Sequence, residues 1–353
     1  MRPPRTLRGE EWAWLFAAAL APLAFNPFGC SPFELPKAAL VQACALAAVL
    51  FALLSPSAGR SAGRTPLLLW LLGALGAATL LATLVSINRG ASLWGSFERQ
   101  QGLLTVAAYL ALAGVVAARL RAWPQALRLL RALVWAAAPV VVYALVQVLG
   151  RDPIPWQTDA ASPVIATIGR ANFLGSYLVL LIPLTAVAAR LGARRWPYWL
   201  LLGGQVVALA ATQARAAWLG AAVAIPALFI LWAVAARRRG LALAGAGLAV
   251  GLVAALVALN LAPALPPTLE RVPGVARLAS LTDTQSGSTA ARLTIWGAGA
   301  GLVADRPLLG YGPETTDLAF APVYPPQLVY YQGREAVVDR LHNLWLDQAV
   351  STG

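Results

Sequence analysis

Residues 216–262 read AAWLGAAVAIPALFILWAVAARRRGLALAGAGLAVGLVAALVALNLA. Two uncharged stretches, 216–236 and 240–269, are separated only by Arg237, Arg238 and Arg239. A helix rising ~1.5 Å per residue needs about 20 mainly apolar residues to cross a ~30 Å hydrocarbon core, and each stretch supplies them. The pair reads as a transmembrane hairpin with a basic turn. Windows without Asp, Glu, Lys or Arg recur upstream at 12–33, 38–59, 65–88, 100–118, 132–150, 171–189 and 196–214. Together the nine windows hold 195 of the 353 residues. A chain 59% apolar and only 12% charged, with mean hydropathy +0.68, is no ordinary soluble protein. The fold expectation is an all-α polytopic membrane protein.

A net charge of +13 would normally suggest nucleic acid. Its distribution does not. If the N-terminus (Arg2, Arg5, Arg8) is cytoplasmic, every second connection is too. Those connections carry Arg60 and Arg64, then Arg119, Arg121, Arg128 and Arg131, then Arg190, Arg194 and Arg195, then Arg237 to Arg239. The inner face then holds 15 basic residues against Glu10 and Glu11, so the whole excess lies on one side. This is the positive-inside bias, a signal of topology. It leaves no nucleic-acid partner to invoke and puts the N-terminus on the cytoplasmic side.

The spans are expected near 12–28, 38–54, 66–87, 102–118, 132–150, 172–189, 197–213, 217–235 and 240–262, which makes 1–262 a membrane domain of nine helices. Pro22, Pro139, Pro183 and Pro226 fall inside spans, and Gly247 and Gly251 suggest close helix packing. Residues 263–341 form one large external loop. It opens on Pro263, Pro266 and Pro267 and a polar segment from Thr282 to Thr289. A helix follows over about 289–304, with Leu293, Trp296, Ala300 and Val303 on one face and Pro307 ending it. Residues 342–353 begin a tenth span, so a further helix is expected beyond Gly353.

Arg89, Arg99, Arg170 and Arg215 lie in short external connections, where basic residues are disfavoured. Single arginines can snorkel to headgroups, but a group of them favours an anion site, because guanidinium forks suit phosphate. Arg292, Arg306 and Arg340 of the large loop can join it. His342, the only histidine, stands where that loop meets the tenth span. Its ordinary pKa near 6.5 suits a general base. Asp305, Asp317, Glu335 and Asp339 read as solvated acids or partners of Arg306 and Arg340. Cys30 and Cys44 suggest no disulfide framework. A metal site built from Cys or His is nearly excluded, while a carboxylate-bound cation stays open.

Four stretches resemble the O-antigen ligase and O-antigen polymerase superfamily of glycosyltransferases of the bacterial inner (cytoplasmic) membrane. They are GSFERQQG (95–102), IGRANFLG (168–175), TQARAAWLG (212–220), and the set ARLTIW (291–296), DRPLLGYGP (305–313) and HNLWL (342–346). The resemblance implies a GT-C-like fold, about ten visible spans and a large periplasmic loop. It also implies a lipid-linked glycan donor on undecaprenyl diphosphate, used without metal or other cofactor. Arg215 and Arg292 fall among the family's diphosphate-binding arginines, with Arg170 and Arg99 beside them, and His342 at its catalytic histidine. One departure is Ala214, where the family often has Ser. The acceptor stays open between lipid A core, a growing polymer and a protein. So do two other readings: a transporter of a small anion such as bicarbonate, and a non-catalytic assembly subunit. Charge-free spans with polar groups at the outer interface favour interfacial chemistry over passage.

Overall fold

The computed structural model describes residues 7–55, 66–156, 163–261, 279 and 287–353. The basic Arg2, Arg5, Arg60 and Arg64, the proline-rich turn at 263–267 and the polar segment from Thr282 up to 286 lie outside the described residues. The described chain is all-α, and six of its helices are long and apolar enough to cross a membrane. They are α2 (Glu34–Leu54), α3 (Pro66–Leu84, apolar from Leu67), α6 (Trp123–Val148), α7 (Ala171–Leu191), α9 (Arg215–Ala235) and α10 (Arg239–Leu261). Two more apolar helices are shorter: α5 (Leu103–Arg119) and α8 (Trp196–Ala211). The protein is a multi-pass membrane protein.

The expected first span departs from this pattern. Helix α1 (Gly9–Leu20) has 12 residues, about 18 Å of rise, and gives way to a single 3-10 turn at Ala21–Leu23 that contains Pro22. Pro22 therefore closes the helix instead of lying inside a span, and chain without helix leads on to Pro27. The buried Glu10 and Glu11 begin α1, and the Ser55 hydroxyl donates to Glu10 Oε2 at 3.2 Å. The other three prolines, Pro139, Pro183 and Pro226, sit inside α6, α7 and α9, which continue past them. The Gly247/Gly251 pair does not pack closely among the described residues. A Cβ at either would meet no described atom within 4 Å, so this face of α10 packs on nothing described.

The described residues divide into two compact units. The first comprises Met1–Ala17, Gly29–Ala126 and Asp283–Gly353. Within it α5 packs on α2 and α3. Gln42 donates to the Thr105 hydroxyl (2.8 Å), which donates to the Gln100 carbonyl (2.6 Å). The large loop builds α11 (Gly287–Asp305), α12 (Thr316–Phe320) and α13 (Gln327–Gln332), which share a small core with the helix that follows it, α14 (Leu344–Thr352). Ala291, Ile295 and Leu302 of α11 pack there with Phe320, Leu328, Leu341 and Val350. Helix α11 is rotated from the expected face: Leu293 and Ala300 are exposed, while Trp296 and Val303 stay at the core's edge. The reason is the 291/295/302 spacing, which lines up three apolar residues against the loop core.

Residues 310–313 stitch this loop core to the short helix α4 (Arg89–Trp94) and its approach. Ile87 N–H donates to the Tyr311 carbonyl (3.1 Å), Tyr311 N–H to Val350 (2.8 Å) and Gly312 N–H to Ser351 (3.0 Å). The Ser92 hydroxyl, fully buried, donates to the Pro313 carbonyl at 2.7 Å. Gly312 has φ 105, and a Cβ there would collide with the Ser86 hydroxyl. Only glycine fits.

The second unit comprises Ala18–Phe28 and Leu127–Thr282. Val134, Val140, Val141 and Ala144 of α6 share its core with Leu174, Leu178 and Ile182 of α7, Ala208 and Leu209 of α8, and Ala217 and Ala221 of α9. Helix α7 packs on α8 and α9, and α9 on α10.

Candidate functional site

The large loop brings three of the sequence-derived site residues into one neighbourhood. His342 follows the fully buried Leu341 and precedes Asn343, the N-cap of α14, whose side chain accepts from Trp345 and Leu346 N–H. Its φ is 55, a left-handed backbone that costs a side-chain-bearing residue ~1–2 kcal/mol, though His is among the residues that tolerate it. The imidazole reaches solvent. Partial burial, then the Arg292 guanidinium on α11, hold its pKa below the ordinary value; Asp339 and Asp347 oppose them, and Arg99 adds to the lowering. The imidazole is thus neutral at pH 7 and able to accept a proton.

Arg99 belongs to the same neighbourhood, with its guanidinium engaged. Its Nε donates to Asp339 Oδ2 at 2.6 Å, and its NH2 pairs with the same oxygen. Glu314, which sequence reasoning did not single out, is the other organiser. It accepts from Ser96 N–H (3.1 Å) and the Ser96 hydroxyl (2.6 Å), and it pairs with Arg340. Its side chain is only 2% exposed, so this ion pair is largely shielded from solvent on the glutamate side. Asp339 and Arg340, adjacent in sequence, thus fasten the 95–102 connection to the large loop. The partners differ from those expected: Asp339 pairs with Arg99, Arg340 with Glu314, and Arg306 lies over the Tyr311 ring at 4.7 Å. The only clue to Glu314 in the sequence was its place directly after the GYGP turn.

Arg170 and Arg215 belong to the second unit. Arg215 is the first residue of α9 and Arg170 the N-cap of α7. Gly175 of α7 faces Ala214 and Ala217 so closely that a Cβ on it would collide with Ala217, so the two helices begin side by side. Both arginines therefore stand at the positive ends of packed helix dipoles. The 212–214 turn is closed by Thr212, whose hydroxyl donates to the Leu209 carbonyl (2.7 Å) and accepts from Ala214 N–H (3.3 Å). Gln213 there has φ 49. Ala214 is buried and caps α9 with no side-chain bond, since alanine has no side-chain acceptor. Arg215 makes no ion pair among the described residues.

The approach to Arg170 hangs on a polar cluster at the end of α6. Gln147 Oε1 accepts from Ile165 and Ala166 N–H (3.3 and 2.8 Å), and its amide donates to Asp152 (2.7 Å). Tyr143, Trp156 and Ile154 N–H also donate to Asp152. Burial disfavours its charge, but these donors hold its carboxyl below the ordinary value. No group of three His, Cys, Asp or Glu that could hold a metal ion is gathered among the described residues.

Residues 197–353 match the family model described as O-antigen ligase. The match runs from α8 to the end of the described chain and takes in Arg215, Arg292 and His342; Arg99 and Arg170 precede it. No curated protein and no solved structure matches the chain.

Proposed function

We propose, from the premise that residues 197–353 belong to the O-antigen ligase family, that this membrane protein is a glycosyltransferase of the ligase/polymerase type. The family implies glycan ligation, with a lipid-linked glycan and an acceptor as partners. The finer reading is that the donor is carried on undecaprenyl diphosphate, the acceptor is a glycan, lipid or protein, and transfer takes place on the periplasmic side of the inner membrane. The single observation that carries it is His342, kept neutral at pH 7 in part by the charge of Arg292, with Arg292 making no ion pair among the described residues and both lying within the family-matched residues 197–353.

In this mechanism His342 takes the proton from the acceptor hydroxyl as that oxygen attacks the anomeric carbon. The bond from that carbon to the diphosphate oxygen breaks, and the leaving lipid diphosphate keeps the electron pair. Within the first unit Arg292 offers fixed positive charge to the diphosphate in the ground state and as its charge grows; within the second unit Arg215 and Arg170, at the starts of α9 and α7, are the candidate phosphate-binding arginines. Diphosphate is already a good leaving group, so the chemistry calls for neither a general acid nor a metal. Arg99 contributes field, since Asp339 occupies its fork. The test is transfer from purified lipid-linked donor by the native protein in detergent, with and without chelator. Product formation that persists in chelator supports the reading; a donor left unchanged across lipid, glycan and peptide acceptors refutes it.

A further inference from the structure

The chain beside His342 is fastened more heavily than the histidine itself. The carbonyl of Leu341 accepts the indole N–H of Trp296 at 2.8 Å, and its N–H donates to Asp347 Oδ1 at 2.7 Å. Its side chain fills the room left by Gly299, where a Cβ would come within 2.7 Å of Leu341 Cδ1. Two consecutive peptide groups, 340–341 and 341–342, are thereby held from opposite elements: α11 supplies the indole and α14 the carboxylate. Asn343 then starts α14, leaving His342 as the one left-handed residue between two fixed points. Trp296 lies one helical turn from Arg292, so one helix carries both the guanidinium whose charge acts on the imidazole and the anchor of its backbone.

We propose that Trp296 and Asp347 are positioning residues for His342, locking the left-handed kink that sets its imidazole. The inference rests on the reading of His342 as general base. Asp347 acts in a second way, by charge. The groups that face the imidazole are Arg292 of α11, Asp339 and Arg99 of the fastened connections, and Asp347 of α14; the carboxylates raise its pKa and the guanidiniums lower it. Removing the Asp347 charge while keeping its acceptor oxygen therefore separates the two effects.

The experiment compares Trp296→Phe, Asp347→Asn, Asp347→Ala and His342→Ala in purified native protein. Donor KM, kcat and its acid limb are measured, together with the pH dependence of imidazole modification by diethyl pyrocarbonate. The signal of His342 is taken as the difference from His342→Ala. Trp296→Phe keeps the ring and loses the N–H; its kcat falls roughly tenfold with donor KM within about twofold. Asp347→Asn keeps kcat within about threefold but moves both the acid limb and the modification midpoint to lower pH, and Asp347→Ala loses more kcat than Asp347→Asn. Parental kcat in Trp296→Phe, or unmoved midpoints in Asp347→Asn, overturns the proposal. Parental transfer by His342→Ala overturns the base reading instead, and the modification arm, which needs no turnover, still decides the positioning claim. If Trp296→Phe fails to fold, the nearly isosteric Asp347→Asn carries the test.

Discussion

Arginines in the two units are used in opposite ways. In the first, Arg99 and Arg340 have their guanidiniums closed by Asp339 and Glu314, and these two pairs bind the 95–102 connection to the large loop. In the second, Arg215 opens α9 without an ion pair among the described residues, and Arg170 opens the neighbouring α7. A guanidinium matched by a carboxylate holds protein to protein and has little left for an incoming anion. One at a helix N-terminus adds its charge to a dipole worth roughly half an elementary charge. Within the first unit, Arg292 makes no ion pair among the described residues, unlike Arg99 and Arg340. On the proposed reading, Arg99 and Arg340 fasten the connections, whereas Arg292 and Arg215 are the donor-binding candidates.

The largest effect expected from this division falls on the group that is not an arginine. His342→Ala cuts transfer by about 10²–10⁴-fold, and His342→Gln does not restore it, because an amide can hydrogen-bond the acceptor but cannot take its proton. Transfer by the parent falls as pH drops through the lowered pKa of His342, since only the neutral imidazole accepts a proton. Arg292→Met removes a charge that lowers that pKa, so the acid limb moves to higher pH; an unmoved limb would separate Arg292 from the histidine. Arg215→Ala then weakens donor use by roughly ten- to hundredfold, the worth of a charged hydrogen bond. Arg215→Lys lies between Ala and parent, because it keeps charge without the fork. Parental donor use by both variants would return Arg215 to a headgroup-snorkelling role.

A smaller effect is expected where the fork is already filled. In a double-mutant cycle on thermal stability, Arg99→Met and Asp339→Asn couple by ~0.5–1 kcal/mol, modest because Asp339 is partly exposed. A donor-KM effect for Arg99→Met as large as that of Arg215→Ala would erase the distinction between the two kinds of arginine. The smallest effect is a change of labelling without change of activity. With the native cysteines removed, Ala193→Cys is shielded from impermeant thiol reagents in intact cells and Tyr330→Cys is labelled; the reverse pattern places the large loop on the cytoplasmic side.

Much of the fold was legible because a bilayer forbids unpaired charge over about 20 residues, a constraint written directly into the chain at 216–236 and 240–262. It failed at α1, where an uncharged window contained Pro22 and hence a 12-residue helix, and apolar composition alone does not tell that from a span. The site was legible in part. Local motifs placed Arg215 at a turn between helices and His342 at a junction, and both positions hold in the structure. Their partners were hidden because they are distant in sequence: Asp339 lies 240 residues from Arg99, and Glu314 lies 218 from Ser96. Trp296 looked like one more apolar residue of an amphipathic helix. Its bond to the Leu341 carbonyl exists only once the loop core has formed.

The account most directly stands or falls on separating donor binding from transfer in two variants measured side by side. Purified native protein, His342→Ala and Arg215→Ala are each titrated with lipid-linked donor and then assayed for transfer at saturating acceptor. The account predicts that His342→Ala binds donor within about threefold of the parent yet transfers at least about 10²-fold more slowly, whereas Arg215→Ala loses donor affinity first. A His342→Ala variant that transfers at near-parental rates, or that fails chiefly in donor binding, would contradict it.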